Sequence, residues 1–255
     1  MNVIGIIPAR MSSSRFPGKP LAKICGIPMI GHVYYRSKIC KTLDHLYVAT
    51  CDKEIADYIE SIGGKAVMTA NIHERASDRA AEAMLEIEAQ IGGRIDIVVM
   101  IQGDEPMIYP GMIEESIMPM LHDTSLQVVN LMVNFKSREE QNDPNEVKVV
   151  VDLNNFALYF SREPIPSWKK GATSVPMLKQ VCIIPFKRDF LIQFNALNPT
   201  PLEVIESVDM LRVLEHGYKV KMVLTKFETY SVDTIDDLRK VEALMASDML
   251  MSKYK

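Results

Sequence analysis

The sequence has 255 residues, 47% of them hydrophobic and 24% charged, with a formal net charge of -4. That balance supplies a full core and excludes an intrinsically disordered chain, while the acidic excess argues against nucleic acid as partner and leaves a small molecule. Cys25, Cys40, Cys51 and Cys182 form no C-x-x-C pair and the five histidines have no zinc-ligand spacing. Reduced thiols in a cytoplasm are therefore expected rather than a zinc site or a disulfide framework. No apolar run reaches the ~20 residues of a membrane span, so no membrane insertion is expected.

In chain order, Val3, Ile4, Ile6 and Ile7 predict a buried parallel strand, which Pro8 should end because it has no N–H for the ladder. The loop that follows is cationic. Arg10, Arg15 and Lys19, with Ser12, Ser13, Ser14 and Gly18 between them, give the charges, hydroxyls and close backbone approach that suit a triphosphate. A loop after the first strand of an α/β chain lies at the carboxyl edge of the sheet, where such folds bind ligands. The P-loop pattern fails because Pro20 follows Gly18-Lys19, and no G-x-G-x-x-G follows a strand.

Helix-period and strand-length apolar runs then alternate. Met29 to Tyr34, Ile55 to Ile62 and Met84 to Ile91 predict helices, with His45–Thr50, Lys65–Met68 and Ile95–Ile101 as strands between them. Gly63-Gly64 and Gly92-Gly93 read as helix stops. This is the pattern of an α/β fold with a mostly parallel sheet flanked by helices. From Leu126 the character changes. Leu126–Val133 and Val147–Val151, joined by a polar turn at Ser137–Asn145, and Ala157–Phe160 and Val181–Ile184 predict short strands without long helices between them, an antiparallel insertion at about 126–186 inside a single domain spanning 1–255. Val208 to Leu214, the strand Val220–Leu224 and a closing helix from Ile235 to Met245 return to the α/β pattern.

Two further stretches carry chemistry. Ile101-Gln-Gly-Asp-Glu-Pro106 ends an apolar strand in an amide, a glycine and two carboxylates, which makes Asp104 a magnesium-ligand candidate beside whatever the first loop holds. In Ser231-Val-Asp-Thr-Ile-Asp-Asp-Leu238, Thr234 can cap the last helix, with Asp236 and Asp237 in its first turn. Asp233 has no such duty and is the second carboxylate candidate.

IPARMSSSRFPGKPL, IQGDEPMI, DPNEVKVVVD, YFSREPIP, PLEVIESVDMLRVLEHG and SVDTIDDL together resemble the 3-deoxy-manno-octulosonate cytidylyltransferase family across nearly the whole chain. The resemblance implies a nucleotide-diphospho-sugar transferase-like fold whose antiparallel insertion serves dimerisation. It also implies a homodimer, and Mg2+-dependent coupling of a sugar acid to CMP from CTP in surface-polysaccharide assembly. It assigns Arg10, Ser13, Arg15 and Lys19 to the triphosphate and Asp104 and Asp233 to the metal; since no histidine base stands out in the motifs, deprotonation of the acceptor is assigned to the metal, with Asp233 as a candidate proton acceptor. Gln102, Ser77 and Arg79 would lie near the nucleoside, and Ser161, Arg162 and Glu206 on the acceptor side. A helix-start position would equally account for Glu206.

His73–Arg79 departs from the family's H-x-S-G-T-D-R at Ala76 and Ser77. Lys179–Phe186 departs from R-H-I-G-I-Y-A-Y at Gln180, Cys182, Ile184 and Pro185, which places Gln180 in the acceptor pocket and points to a related acid, an amino- or deoxy-sugar variant or a phosphonate. A nucleotidyltransferase with another acceptor, a glycosyltransferase with a similar sheet and metal carboxylate, and a non-catalytic nucleotide-binding regulator are the competing readings.

Overall fold

Val3, Ile4, Ile6 and Ile7 are each at most 3% exposed in β1 (Val3–Ala9), the central strand of the first sheet. Burying four such side chains contributes about 1.5–3 kcal/mol each, so this strand anchors everything around it. The computed structural model describes residues 1–12, 16–169 and 175–255. Ser13, Ser14 and Arg15 of the cationic loop lie outside the described residues.

After β1 come a small hairpin of β2 (Lys23–Ile24) and β3 (Ile27–Pro28), then α1 (Met29–Lys38), β4 (His45–Thr50), α2 (Lys53–Ser61), β5 (Ala66–Met68), α3 (Ala76–Ile91), β6 (Ile97–Ile101) and α4 (Pro110–His122). β6, β1, β4 and β5 lie side by side, all parallel, as the alternation of strand and helix requires. The chain divides into two compact units, Met1–Glu114 with Thr229–Lys255, and Glu115–Glu228, the division falling within α4.

The second unit contains β7 (Val129–Asn134), α5 (Arg138–Asn142), β8 (Lys148–Val151), β9 (Ala157–Ser161), β10 (Leu178–Val181), β11 (Ile183–Lys187), α6 (Arg188–Ala196), α7 (Pro201–Glu206), α8 (Met210–Glu215) and β12 (Lys221–Leu224). Its sheet runs β12-β7-β10-β8-β9, antiparallel except where β12 pairs with β7. The expected antiparallel stretch falls inside this unit. α9 (Ile235–Met245) then returns the chain to the first unit.

Three local expectations are corrected. Pro8 does not end β1, because it pairs with Ala49 and the strand runs on to Ala9. Val3 directs both its N–H and its C=O at Asp44, beside β4, so by alternation Pro8 faces the β6 side, where pairing has already stopped at Ile6. Its missing N–H therefore breaks no ladder bond. Val181–Ile184 is two strands, not one, divided at Cys182. The polar stretch Ser137–Asn145 is not only a turn: Ser137 Oγ accepts from Glu140 N–H at 3.1 Å and starts the short helix α5.

Candidate functional site

β1 and β6 are parallel neighbours, so the loops leaving them emerge at the same edge of the sheet. From β1 the chain passes through Arg10 and a turn in which Gly18, at φ 74°, takes the left-handed conformation that brings Lys19 into a short 3-10 turn. Met11 N–H donates to Asp52 Oδ2 at 2.7 Å, tying this loop to the one after β4. From β6 the chain passes through Gln102 and Gly103. A Cβ at Gly103 would sit 3.1 Å from Pro8 O and 3.3 Å from Ile30 Cδ1, so a side chain there would push the two loops apart.

Asp233 arrives from the other end of the sequence. Val232 N–H donates to Asp104 O at 2.9 Å, and the Val232 side chain is fully buried against Ile24, Met29, Val241 and Met245. That bond sets the segment bearing Asp233 alongside the one bearing Asp104. Thr234 then caps α9: Asp237 N–H donates to its Oγ1 at 3.2 Å, and Thr234 N–H donates to Asp237 Oδ2 at 2.9 Å. Asp233 N–H also donates to Asp237 Oδ2 at 3.3 Å, leaving the Asp233 carboxylate outside the cap.

The Lys19 ammonium joins the pieces. Its Nζ donates to Asp104 Oδ2 at 2.8 Å, Val232 O at 2.8 Å and Asp233 Oδ1 at 3.3 Å. One cation thus faces two carboxylates in a partly buried setting, the three side chains being 13%, 22% and 26% exposed. Asp104 Oδ1 is buried and has no hydrogen-bond partner among the described residues. The two carboxylates are the residues here that could hold a cation. Among the described residues no group of three or more His, Cys, Asp or Glu side chains comes together for a metal.

These residues open into a cleft of about 330 Å³ lined also by Ala9, Arg10, Ser12, His73, Arg75, Arg79 and Gln102. Arg79 is 3% exposed; its Nη1 donates to Thr69 Oγ1 and, at 3.3 Å, to Ala70 O, while Nη2 is buried without a partner among the described residues. A buried donor left unmatched costs free energy, so Arg79 has a strong demand for an acceptor. Ser77 is fully buried on α3 and does not line the cleft.

The sequence reading missed His73, Arg75 and Asp52. His73 Nε2 contacts Glu82 Oε2, and its backbone O accepts from Arg10 Nη1 at 3.4 Å. Burial pushes the Glu82 carboxyl up, but the His73 ring and Ala70 N–H outweigh it and hold the group below the usual carboxylate range. Asp52 had a readable signal, since it stands just past the carboxyl end of the second parallel strand, at the same edge as Arg10 and Asp104.

The acceptor-side candidates lie in the second unit. Glu206 ends α7 rather than starting it, a correction to the helix-start account, and there its carboxylate faces the unfavourable end of the helix dipole. Donors offset this: Tyr159 OH and Ser161 Oγ at 3.1 Å each and Arg162 N–H at 2.7 Å. The Arg162 guanidinium donates to four backbone carbonyls, Glu206 O at 2.6 Å, Pro144 O at 2.8 Å, Ser207 O at 3.3 Å and Asn145 O at 3.4 Å. It is thus an organiser of two turns, with little donor capacity to spare. Gln180 Nε2 donates to Asn130 Oδ1 at 2.6 Å, and Ile184 is 3% exposed. Fully buried Lys148 donates to Asp143 O, Glu146 O and Arg162 O at 2.6–2.8 Å, and burial lowers its pKa.

A cationic loop facing two carboxylates at the carboxyl edge of a parallel sheet suits nucleotide chemistry, and comparison with known proteins agrees. A cytidylyltransferase family profile matches residues 4–225. The chain is 44% identical over 251 residues to a 3-deoxy-manno-octulosonate cytidylyltransferase of Syntrophobacter fumaroxidans, covering 97% of this chain and 98% of that one. It is 41% identical over 251 residues to that of Geotalea uraniireducens, covering 94% and 98%. Among solved structures, a CMP:2-keto-3-deoxy-manno-octonic acid synthetase complexed with CTP superposes with a TM-score of 0.88 at 39% identity, covering 96% of this chain and 99% of that one. With the family profile spanning most of its length and full-length relatives above 40% identity, this chain belongs to the 3-deoxy-manno-octulosonate cytidylyltransferase family.

Proposed function

We propose that the protein transfers CMP from CTP to the anomeric hydroxyl of 3-deoxy-manno-octulosonate or a closely related sugar acid, releasing pyrophosphate. The observation that carries this is the meeting of Lys19, Asp104 and Asp233 in one cleft with Arg10, Gln102 and Arg79 on its walls. The acceptor hydroxyl oxygen attacks the α-phosphorus, its proton passing to the Asp233 carboxylate, and the bond from the α-phosphorus to the bridging oxygen breaks to release pyrophosphate, so the protein's remaining tasks are positioning and charge neutralisation. Arg10 and Lys19 offset the charge on the departing pyrophosphate. Arg79, with an unmatched buried N–H, and Gln102 offer donors to the nucleoside.

The residues fit magnesium as cofactor. Two carboxylates converge where a cation already sits, and Asp104 Oδ1 is buried and unmatched, leaving other coordination positions to phosphates and water. Magnesium would neutralise charge building on the transferring and departing phosphates.

A cytoplasmic location is supported by four cysteines that form no disulfide among the described residues; among these residues too, no helix is long and apolar enough to cross a membrane. Pairing with a second copy is supported by Leu158 on β9 and Val204 and Ile205 on α7, which are 61–74% exposed on elements joined by the Tyr159–Glu206 bond. Sedimentation at micromolar concentration tests it.

Incubation with CTP, Mg2+ and a panel of acids should yield pyrophosphate and a CMP conjugate identifiable by mass. The panel holds 3-deoxy-manno-octulosonate, its amino and deoxy variants and a phosphonate. Release of a nucleoside diphosphate from a sugar nucleotide would instead favour a glycosyltransferase.

A further inference from the structure

We infer that Lys19 is a resident counter-ion of the Asp104–Asp233 pair that a triphosphate must draw away before a divalent cation can settle there, so that metal binding by this chain is conditional on nucleotide. The inference rests on the cytidylyltransferase reading for the identity of the nucleotide, and on geometry for the rest.

An ammonium has three donors, and all three of Lys19's are engaged: on Asp104 Oδ2, Asp233 Oδ1 and Val232 O. The carboxylate oxygens that a metal would take are thus hydrogen-bonded to a fixed unit charge at 2.8 and 3.3 Å. At such separations the repulsion between Lys19 and an entering dication exceeds thermal energy, even at the effective dielectric of a protein surface. Among the described residues Asp104 Oδ1 is buried and unmatched, and a single oxygen is a weak site for a divalent cation.

The block is removable. Lys19 stands on a short 3-10 turn and reaches the pair through a flexible four-carbon stem, so its head can move while its backbone stays. The same cleft contains Arg10 on the phosphate-facing loop. A triphosphate held there offers Lys19 new acceptors, and its departure releases Asp104 Oδ2 and Asp233 Oδ1 toward the cation that accompanies the nucleotide. One cation is exchanged for another, and the carboxylates are never left facing each other uncompensated.

The test is Mn2+ binding to the full-length protein without nucleotide, read from the electron paramagnetic resonance of the free ion. Lys19→Met should bind Mn2+ at least about tenfold more tightly than the unaltered protein, whereas Lys19→Arg, which keeps the charge, should not gain. The gain should vanish in Lys19→Met combined with Asp104→Asn, which assigns the ion to this pair. Equal affinity of the unaltered protein and Lys19→Met overturns the inference, as does a gain that survives Asp104→Asn.

Should Lys19→Met fail to fold by circular dichroism, a crystal structure of the unaltered protein with CTP and Mn2+ decides. Lys19 still bonded to both carboxylates overturns the inference, and its transfer to phosphate supports it. The two readings fail separately. A Lys19→Met gain without any CMP conjugate in the acid panel removes the proposed function and keeps the counter-ion, and a conjugate with no gain does the reverse.

Discussion

Asp104 is the residue on which the cleft turns, because its two oxygens have different environments. Oδ2 accepts from Lys19 while Oδ1 is buried with no donor among the described residues. An isolated buried acceptor is destabilising, so its retention beside Lys19 and Asp233 points to a cost borne for function. Asp104→Asn keeps the shape and removes the charge. Turnover should fall about a thousandfold, the scale of losing an electrostatic contact made chiefly in the transition state, while the thermal unfolding midpoint stays near that of the unaltered protein. Turnover within a few-fold of normal would take Asp104 out of the machinery. Arg162 gives the opposite lesson at the same scale. Its guanidinium is engaged by four carbonyls, so its replacement should act first on the turns at Pro144–Asn145 and Glu206–Ser207.

Among the elements, α9 joins stability to the site. Asp237 Oδ2 accepts from Thr234 N–H, Thr234 Oγ1 and Asp233 N–H, so one carboxylate closes the capping box and fixes the backbone of the proposed metal ligand. Asp237→Ala should cost about 1 kcal/mol in urea denaturation, the usual value of a lost cap, and should also raise the Mg2+ concentration needed for half-maximal turnover. A stability loss without a shift in Mg2+ dependence would show that the cap does not position Asp233.

This cap was legible because Thr234, Asp236 and Asp237 stand at fixed offsets from an apolar stripe. The parallel sheet was legible because β1, β4 and β6 are short apolar runs separated by helix-period segments. α4 and α6 were not read, the first because Pro110 and Pro119 break up its pattern. Pro8 and Cys182 were misread because the direction of a backbone N–H and a local break in a strand depend on the neighbouring strand. In the cleft, the carboxylates could be placed from strand ends, whereas the Lys19 contact spans 214 positions to Asp233 and leaves no trace in spacing.

At the scale of the whole molecule, the first unit is assembled from both ends of the chain, and a buried polar relay closes it. Arg36, 1% exposed, contacts Asp248 through Nη2 and donates through Nε to Tyr254 OH at 3.0 Å. Tyr254 OH lies 3.0 Å from His32 Nδ1, and His32 Nε2 lies 2.8 Å from Ile24 O. A carbonyl only accepts, so Nε2 carries the hydrogen; burial favours the neutral ring, in which Nδ1 accepts from Tyr254 OH. Burial lowers the His32 pKa below 6.5, helped by the charges of Arg36 and Lys255 and opposed by the carbonyls of Ile24 and Ile27. The unfolded chain therefore takes up this proton at a higher pH than the folded one, so acid favours unfolding. The contribution is complete above about pH 6.5 and is lost as pH falls through the folded value. Carboxylates titrate lower and add their own slope, so the test is a difference. The urea midpoint of the unaltered protein should decline from about pH 7.5 to about pH 5.5, and His32→Asn, less stable at the upper end because it loses the relay, should decline less steeply. Parallel declines would show that His32 does not couple protons to the closure of this unit.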